Sequence, residues 1–203
     1  LKYYSDALKA SPIPLSGAST FKIAYANYKS ENYFKSCQLF KSLYQEQQYL
    51  KTFSEYFHIR SLWEFNPRKA LDLAIKFTDN HKKHFLSDSL IIEIADQLFT
   101  NGSYSNARRF YQKAIRKKIN IKNAVIYKIR AADCLYKTGN SKLAKDEYYQ
   151  ILKKYRKREE TLELARWLQE KEKKYFRKHF FNIADVYFAN REYTALRSLL
   201  EQY

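Results

Sequence analysis

Between Ile91 and Lys118 the sequence IIEIADQLFTNGSYSNARRFYQKAIRKK sets out apolar residues at helical spacing twice, with a single break between. Ile91, Ile94, Ala95 and Leu98 fall at i, i+3, i+4 and i+7; Gly102-Ser103-Tyr104 interrupts; Ala107, Tyr111 and Ala114 resume the rhythm. Two amphipathic helices joined by a tight turn are predicted. Ala95 and Ala107 let the helices approach closely, Gly102 can take the left-handed conformation that ends the first, and Tyr104 fills the seam beside the turn.

The same register recurs along the chain. Ile23 and Ala24 lead to Glu31-Asn32-Tyr33, then Ser36 and Phe40; Ala131, Ala132 and Leu135 lead to Gly139, then Ala144, Tyr148 and Ile151. A degenerate copy spans Tyr56 to Phe77, with Asn66-Pro67 as the turn and Ala70 and Ala74 as packing positions. A last one spans Phe180 to Tyr203, with Ile183, Ala184 and Tyr187, then Arg191-Glu192-Tyr193 and Leu200. The second-helix positions Ser36, Ala70, Ala107, Ala144 and Leu196 are spaced 34, 37, 37 and 52 apart. The last gap needs an extra helix, which residues 159–173 supply with Leu162, Leu164, Ala165, Trp167 and Leu168.

Small-x-x-large, Gly-x-Tyr and Ala-x-x-x-Tyr-x-x-Ala, at a period near 34, resemble the tetratricopeptide repeat. The expected fold is therefore all-α, a right-handed superhelical solenoid of tetratricopeptide-like helical hairpins. Residues 1–17 read as an N-terminal helix ended by a Pro-rich linker or cap at Pro12 and Pro14. Residues 18–203 read as the repeat domain, about five hairpins plus the extra helix.

Composition supports an ordered chain: 17% aromatic residues, with 19 Tyr and 14 Phe against three Gly and three Pro. Three glycines leave no room for a phosphate-cradling loop, and no nucleophile elbow, His-Glu-x-x-His or Cys-x-x-Cys is present. Cys37 and Cys134 are read as small buried side chains, and His81 and His84 with Asp79 and Asp88 as polar interhelical residues rather than a metal cluster. No catalytic, cofactor-binding or metal-ligating residue is assigned. There is no apolar run near 18 residues and no export signal; a start at Leu1 and the lack of Met suggest an excised piece.

Of the net charge of +17, residues 101–180 hold 23 Lys/Arg against 8 Asp/Glu. The basic-surface candidates are Arg108, Arg109, Arg116, Lys117, Lys118, Lys153, Lys154, Arg156, Lys157 and Arg158, with a further run from Lys171 to Lys178. Those from Arg108 to Arg158 fall on second helices or just past their ends, on the convex side or an edge, where a solvated face and an anionic polymer or membrane contact are both open readings. On the first helices, Asp96, Asp133 and Asp185 each follow the packing alanine, and with Phe99, Tyr136 and Phe188 they are the groove candidates. Three acids there repel a carboxylate, so a neutral or cationic ligand is expected; pairing of these aspartates with neighbours such as Arg130 is the plainer reading.

With residues 87–118 followed by 131–155, the chain over about residues 20–203 resembles the N-terminal helical superhelix of the soluble lytic murein transglycosylases. That resemblance implies a platform acting in the periplasm or cell envelope, with a protein partner in the concave groove, peptidoglycan, or both. The family's catalytic Glu-Ser dipeptide is absent, which implies the non-catalytic part of such an enzyme. Alternatives are a free-standing tetratricopeptide adaptor and a basic nucleic-acid-binding repeat. The last ranks lowest, with binding expected to be lost by about 0.2 M salt.

Overall fold

The computed structural model describes residues 16–47, 50–171 and 179–201. The predicted N-terminal helix and Pro-rich stretch, residues 1–15, and nearly all of the Lys171–Lys178 run lie outside these bounds. Among the described residues the regular structure is helical throughout: α1 Gly17–Lys29, α2 Tyr33–Ser42, α3 Lys51–Trp63, α4 Pro67–Asn80, α5 Phe85–Thr100, α6 Tyr104–Lys117, α7 Ala124–Lys137, α8 Ser141–Tyr155, α9 Glu159–Lys171, α10 Phe180–Ala189 and α11 Tyr193–Glu201. A π turn, Leu43–Gln47, continues α2, and a 3-10 turn, Ile121–Asn123, precedes α7. The helices gather into two compact units, residues 1–90 and 91–203.

Four hairpins close with one and the same turn. Glu31, Gly102, Gly139 and Arg191 each take a left-handed conformation, with φ of 62°, 75°, 83° and 62°. Each donates its N–H to the carbonyl three residues back: Tyr28, Phe99, Tyr136 and Phe188. The next N–H, of Asn32, Ser103, Asn140 or Glu192, donates five residues back, which satisfies carbonyls that the helix end would otherwise orphan. The α3–α4 turn differs: Pro67 opens α4 at a position that needs no donor, and the Asn66 side chain accepts from the Lys69 N–H at 3.2 Å.

Glycine is at home in the left-handed region; Glu31 and Arg191 are not, and the cost is about 1 kcal/mol each. Glu31→Gly and Arg191→Gly are each expected to stabilise the chain by about 0.5 kcal/mol, after the extra unfolded-state freedom of glycine is subtracted. Thermal unfolding should show a rise of about 1–2 °C per substitution.

The small second-helix positions explain the close packing. Ser36, Ala70, Ala107 and Ala144 have no accessible surface, while Leu196 is half-buried. In the first unit an aromatic cluster packs beside the core: half-buried Phe57 is ringed by Tyr25, Tyr28, Phe40 and Tyr56, with centroids 5.2–5.4 Å away. In the second unit one core runs from Val125 through Tyr148, Leu152 and Leu168 to Ile183 and Tyr187. The extra helix, α9, packs against α7, α8 and α10, so it is part of this core.

Candidate functional groove

The first helices of the second unit present one continuous face. Ile92, Asp96, Phe99 and Thr100 come from α5, Ile126, Arg130, Asp133 and Lys137 from α7, and Glu160, Glu163, Leu164 and Trp167 from α9. These are runs at i, i+3, i+4, i+7, i+8 or i+11, which place each set on one helical stripe. They line two adjoining hollows of about 610 and 550 Å³, which share Phe99, Ile126, Arg130 and Lys137.

Two aspartates are fixed by the same device fifteen residues apart in sequence. The buried Tyr111 hydroxyl donates to Asp96 Oδ1 at 2.5 Å, and the buried Tyr148 hydroxyl donates to Asp133 Oδ1 at 2.6 Å. Each bond ties the second helix of a hairpin to its first. Burial pushes both phenols up, the neighbouring carboxylate adding to the effect, so they stay donors. Burial likewise raises the Asp133 carboxyl, against the lowering by the Tyr148 hydroxyl and Arg130.

Arg130 does not pair with these acids as the sequence suggested. Its guanidinium lies over the Phe99 ring, 5.3 Å from the centroid, and has no hydrogen bond or ion pair among the described residues. Trp167 stands edge-on to Tyr136 at 5.3 Å and to Tyr148 at 5.7 Å, which anchors α9 to the groove floor. The hollows thus hold apolar and aromatic walls with four carboxylates, Asp96, Asp133, Glu160 and Glu163, against two cations, Arg130 and Lys137. Glu160 is already engaged by Arg158 at 3.0 Å.

Of the sequence candidates, Asp96, Phe99, Asp133 and Tyr136 come together here. Asp185 and Phe188 do not line these hollows; both are exposed on α10, and Phe188 meets Tyr193 edge-on at 6.3 Å. Ile126, Lys137, Glu160 and Glu163 were missed. The helical stripe through Asp133, extended to 126, 130 and 137, would have found the α7 members.

The basic-surface candidates separate into two kinds. Arg108 is half-buried and held: its two Nη atoms reach the Glu147 carboxylate at 2.5 and 3.0 Å, and Nη1 also donates to the Ala131 carbonyl at 2.6 Å. It is a clamp between α6, α7 and α8 rather than a surface cation. Arg158 is tied to the Lys122 carbonyl and Glu160. Arg109, Arg116, Lys117, Lys118, Lys153, Lys154, Arg156 and Lys157 are exposed. The Arg158–Lys122 bond brings the loop after α8 beside the loop before α7.

Both cysteines are buried and free, Cys134 with its thiol pushed up to about 11 by burial. His81 Nε2 lies 3.1 Å from Glu55. Among the described residues no helix is long and apolar enough to cross a membrane.

No family model and no curated protein matches the chain. Among solved structures, a kinesin light chain with nearly identical TPR-like repeats from Podosopora anserina is similar over 91% of this chain and 91% of that one, at 14% identity and a TM-score of 0.50. The chain has a tetratricopeptide-like repeat fold. The tetratricopeptide-like likeness concerns fold alone, and it lends no support to the narrower resemblance to transglycosylases.

Proposed function

We propose that the chain is a non-catalytic scaffold that binds a protein segment along the first-helix groove of its second unit. The observation that carries this reading is the groove itself: two adjoining hollows walled by Phe99, Ile126, Tyr136 and Trp167, with polar groups placed along one stripe. Apolar walls suit an aliphatic or aromatic anchor. Four carboxylates against two cations, in a chain of net charge +17, suit neutral or basic flanks on that anchor.

Selection of random twelve-residue peptides against the protein tests this. Enriched peptides should carry an apolar anchor flanked by Lys or Arg, and Phe99→Ala/Ile126→Ser should weaken them by about tenfold or more. Enrichment of acidic peptides, or equal binding by the double variant, would count against the groove.

A narrower proposal makes this scaffold the envelope platform of a peptidoglycan lytic transglycosylase. It is supported by the sequence resemblance of about residues 20–203 alone. Co-sedimentation with purified peptidoglycan sacculi should then deplete the protein from solution at physiological salt; a protein left wholly in the supernatant sinks that proposal.

A further inference from the structure

The first unit contains a hollow of about 330 Å³ between α2, α3 and α4, on the second-helix side and apart from the groove. Leu62, Leu73, Phe34 and Phe65 supply apolar walls, and the two phenylalanines, both exposed, meet at 5.7 Å between centroids. Lys41 and Lys69 also line it, and neither side-chain ammonium has an ion-pair or hydrogen-bond partner among the described residues.

His58 forms the back of the hollow and is only 5% exposed. Its Nδ1 lies 3.0 Å from the Cys37 carbonyl oxygen. A carbonyl only accepts, so Nδ1 carries the hydrogen and Nε2 is left as a lone-pair acceptor, without a partner among the described residues. The same assignment rules out a nucleophilic Cys37–His58 pair: the thiol lies 3.3 Å from a nitrogen that already bears its proton. The π turn Leu43–Gln47 adds Tyr44 and Gln45 to the wall, with the Tyr44 ring 5.3 Å from the imidazole. π turns are frequent at functional sites.

The second unit has a larger hollow, of about 620 Å³, at the equivalent place, lined by Arg108, Leu143 and Glu147. By the packing-alanine register, Cys37 corresponds to Arg108, Lys69 to Leu143 and Leu73 to Glu147. There Arg108 and Glu147 form a bidentate pair on the wall of the hollow, and α6 runs without a π turn. In the first unit both paired residues are gone and two unpaired lysines stand at the rim instead.

We propose that this hollow is a binding site for a small amphipathic organic acid. Its carboxylate lies between Lys41 and Lys69, its apolar body rests on Leu62, Phe65 and Leu73, and a hydroxyl or amide group donates to His58 Nε2. A volume near 330 Å³ is at the small end for such sites and suits a molecule of a dozen or so heavy atoms.

The probe is hydroxynaphthoate, followed through the Hε1 resonances of the four histidines, His58, His81, His84 and His179. The His58 signal should shift saturably with a Kd of about 1 mM or tighter, the other three staying in place. Naphthol, which lacks the carboxylate, should bind about tenfold more weakly, and so should hydroxynaphthoate to Lys41→Ala/Lys69→Ala. Both lysines are exposed, so the double variant keeps its fold, which far-UV circular dichroism verifies. The proposal is overturned if naphthol binds as well as the acid, if the double variant binds unchanged, or if His58 shows no saturable shift up to about 5 mM probe. None of these outcomes bears on the groove, which lies in the other unit.

Discussion

Tyr148→Phe is expected to cost about 2 kcal/mol of stability at neutral pH, because it leaves the half-buried Asp133 carboxylate without its hydroxyl donor. The loss has a pH signature. Burial already holds the Asp133 carboxyl above its ordinary value of 3.8, so its charge opposes folding at neutral pH. That opposition fades as the pH falls through the raised folded value, where the folded state takes up its proton first. Removing the hydroxyl, which favours the charged form, raises the folded value further. The deficit of Tyr148→Phe relative to wild type should therefore shrink as acid is added. Tyr111→Phe should cost less, since Asp96 is exposed to water, and Tyr187→Phe should show no such pH trend, since its hydroxyl meets the neutral Gln169 at 2.5 Å. Urea unfolding of the three variants across mildly acidic to neutral pH measures this. Equal, pH-independent losses would mean that the Tyr–Asp pairs are incidental.

Ala107→Leu combined with Ala144→Leu is expected to have the larger effect. Each alanine has no accessible surface at the crossing of two helices, so the added atoms can enter only by pushing helices apart. Overpacking costs about 1–3 kcal/mol at each site, and the two sites lie on different hairpins, so the losses should nearly add. A total of several kcal/mol is a large part of the 5–15 kcal/mol that ordinary domains have, and the thermal midpoint of the double variant should fall by about 5–20 °C, with side-chain packing loosened. Far-UV and near-UV circular dichroism together report this: helix signal retained with aromatic signal lost would show hairpins that form but no longer pack. Full stability would show that the small-residue register does not set the helix spacing.

The hairpins were legible because their turns and crossings are local. Gly102 and Gly139 mark left-handed turns directly, and Ala107 and Ala144 mark the crossings. Glu31 and Arg191 adopt the same turn with residues that do not announce it, and only the shared register exposed them. Long-range pairing was hidden. Arg108 reads as one more cation in a basic segment, because its partner Glu147 lies 39 residues away. Asp185 looked equivalent to Asp96 and Asp133, yet the residue fifteen further on is Leu200 where they have Tyr111 and Tyr148, so the hydroxyl lock is missing. The π turn that admits Tyr44 to the first-unit hollow leaves no mark in the apolar pattern, since one extra residue in a helix changes which face follows but not what the residues are.

The most direct test of the protein-binding account is a chemical-shift map of a peptide, chosen by selection against the wild-type protein, titrated into isotope-labelled chain. The account predicts perturbations concentrated on the α5, α7 and α9 stripe, with Phe99, Ile126, Arg130 and Tyr136 among the largest, and charge reversal at the peptide's basic flanks weakening the interaction. Perturbations centred instead on the α6 and α8 faces, or spread thinly over both units, would contradict it.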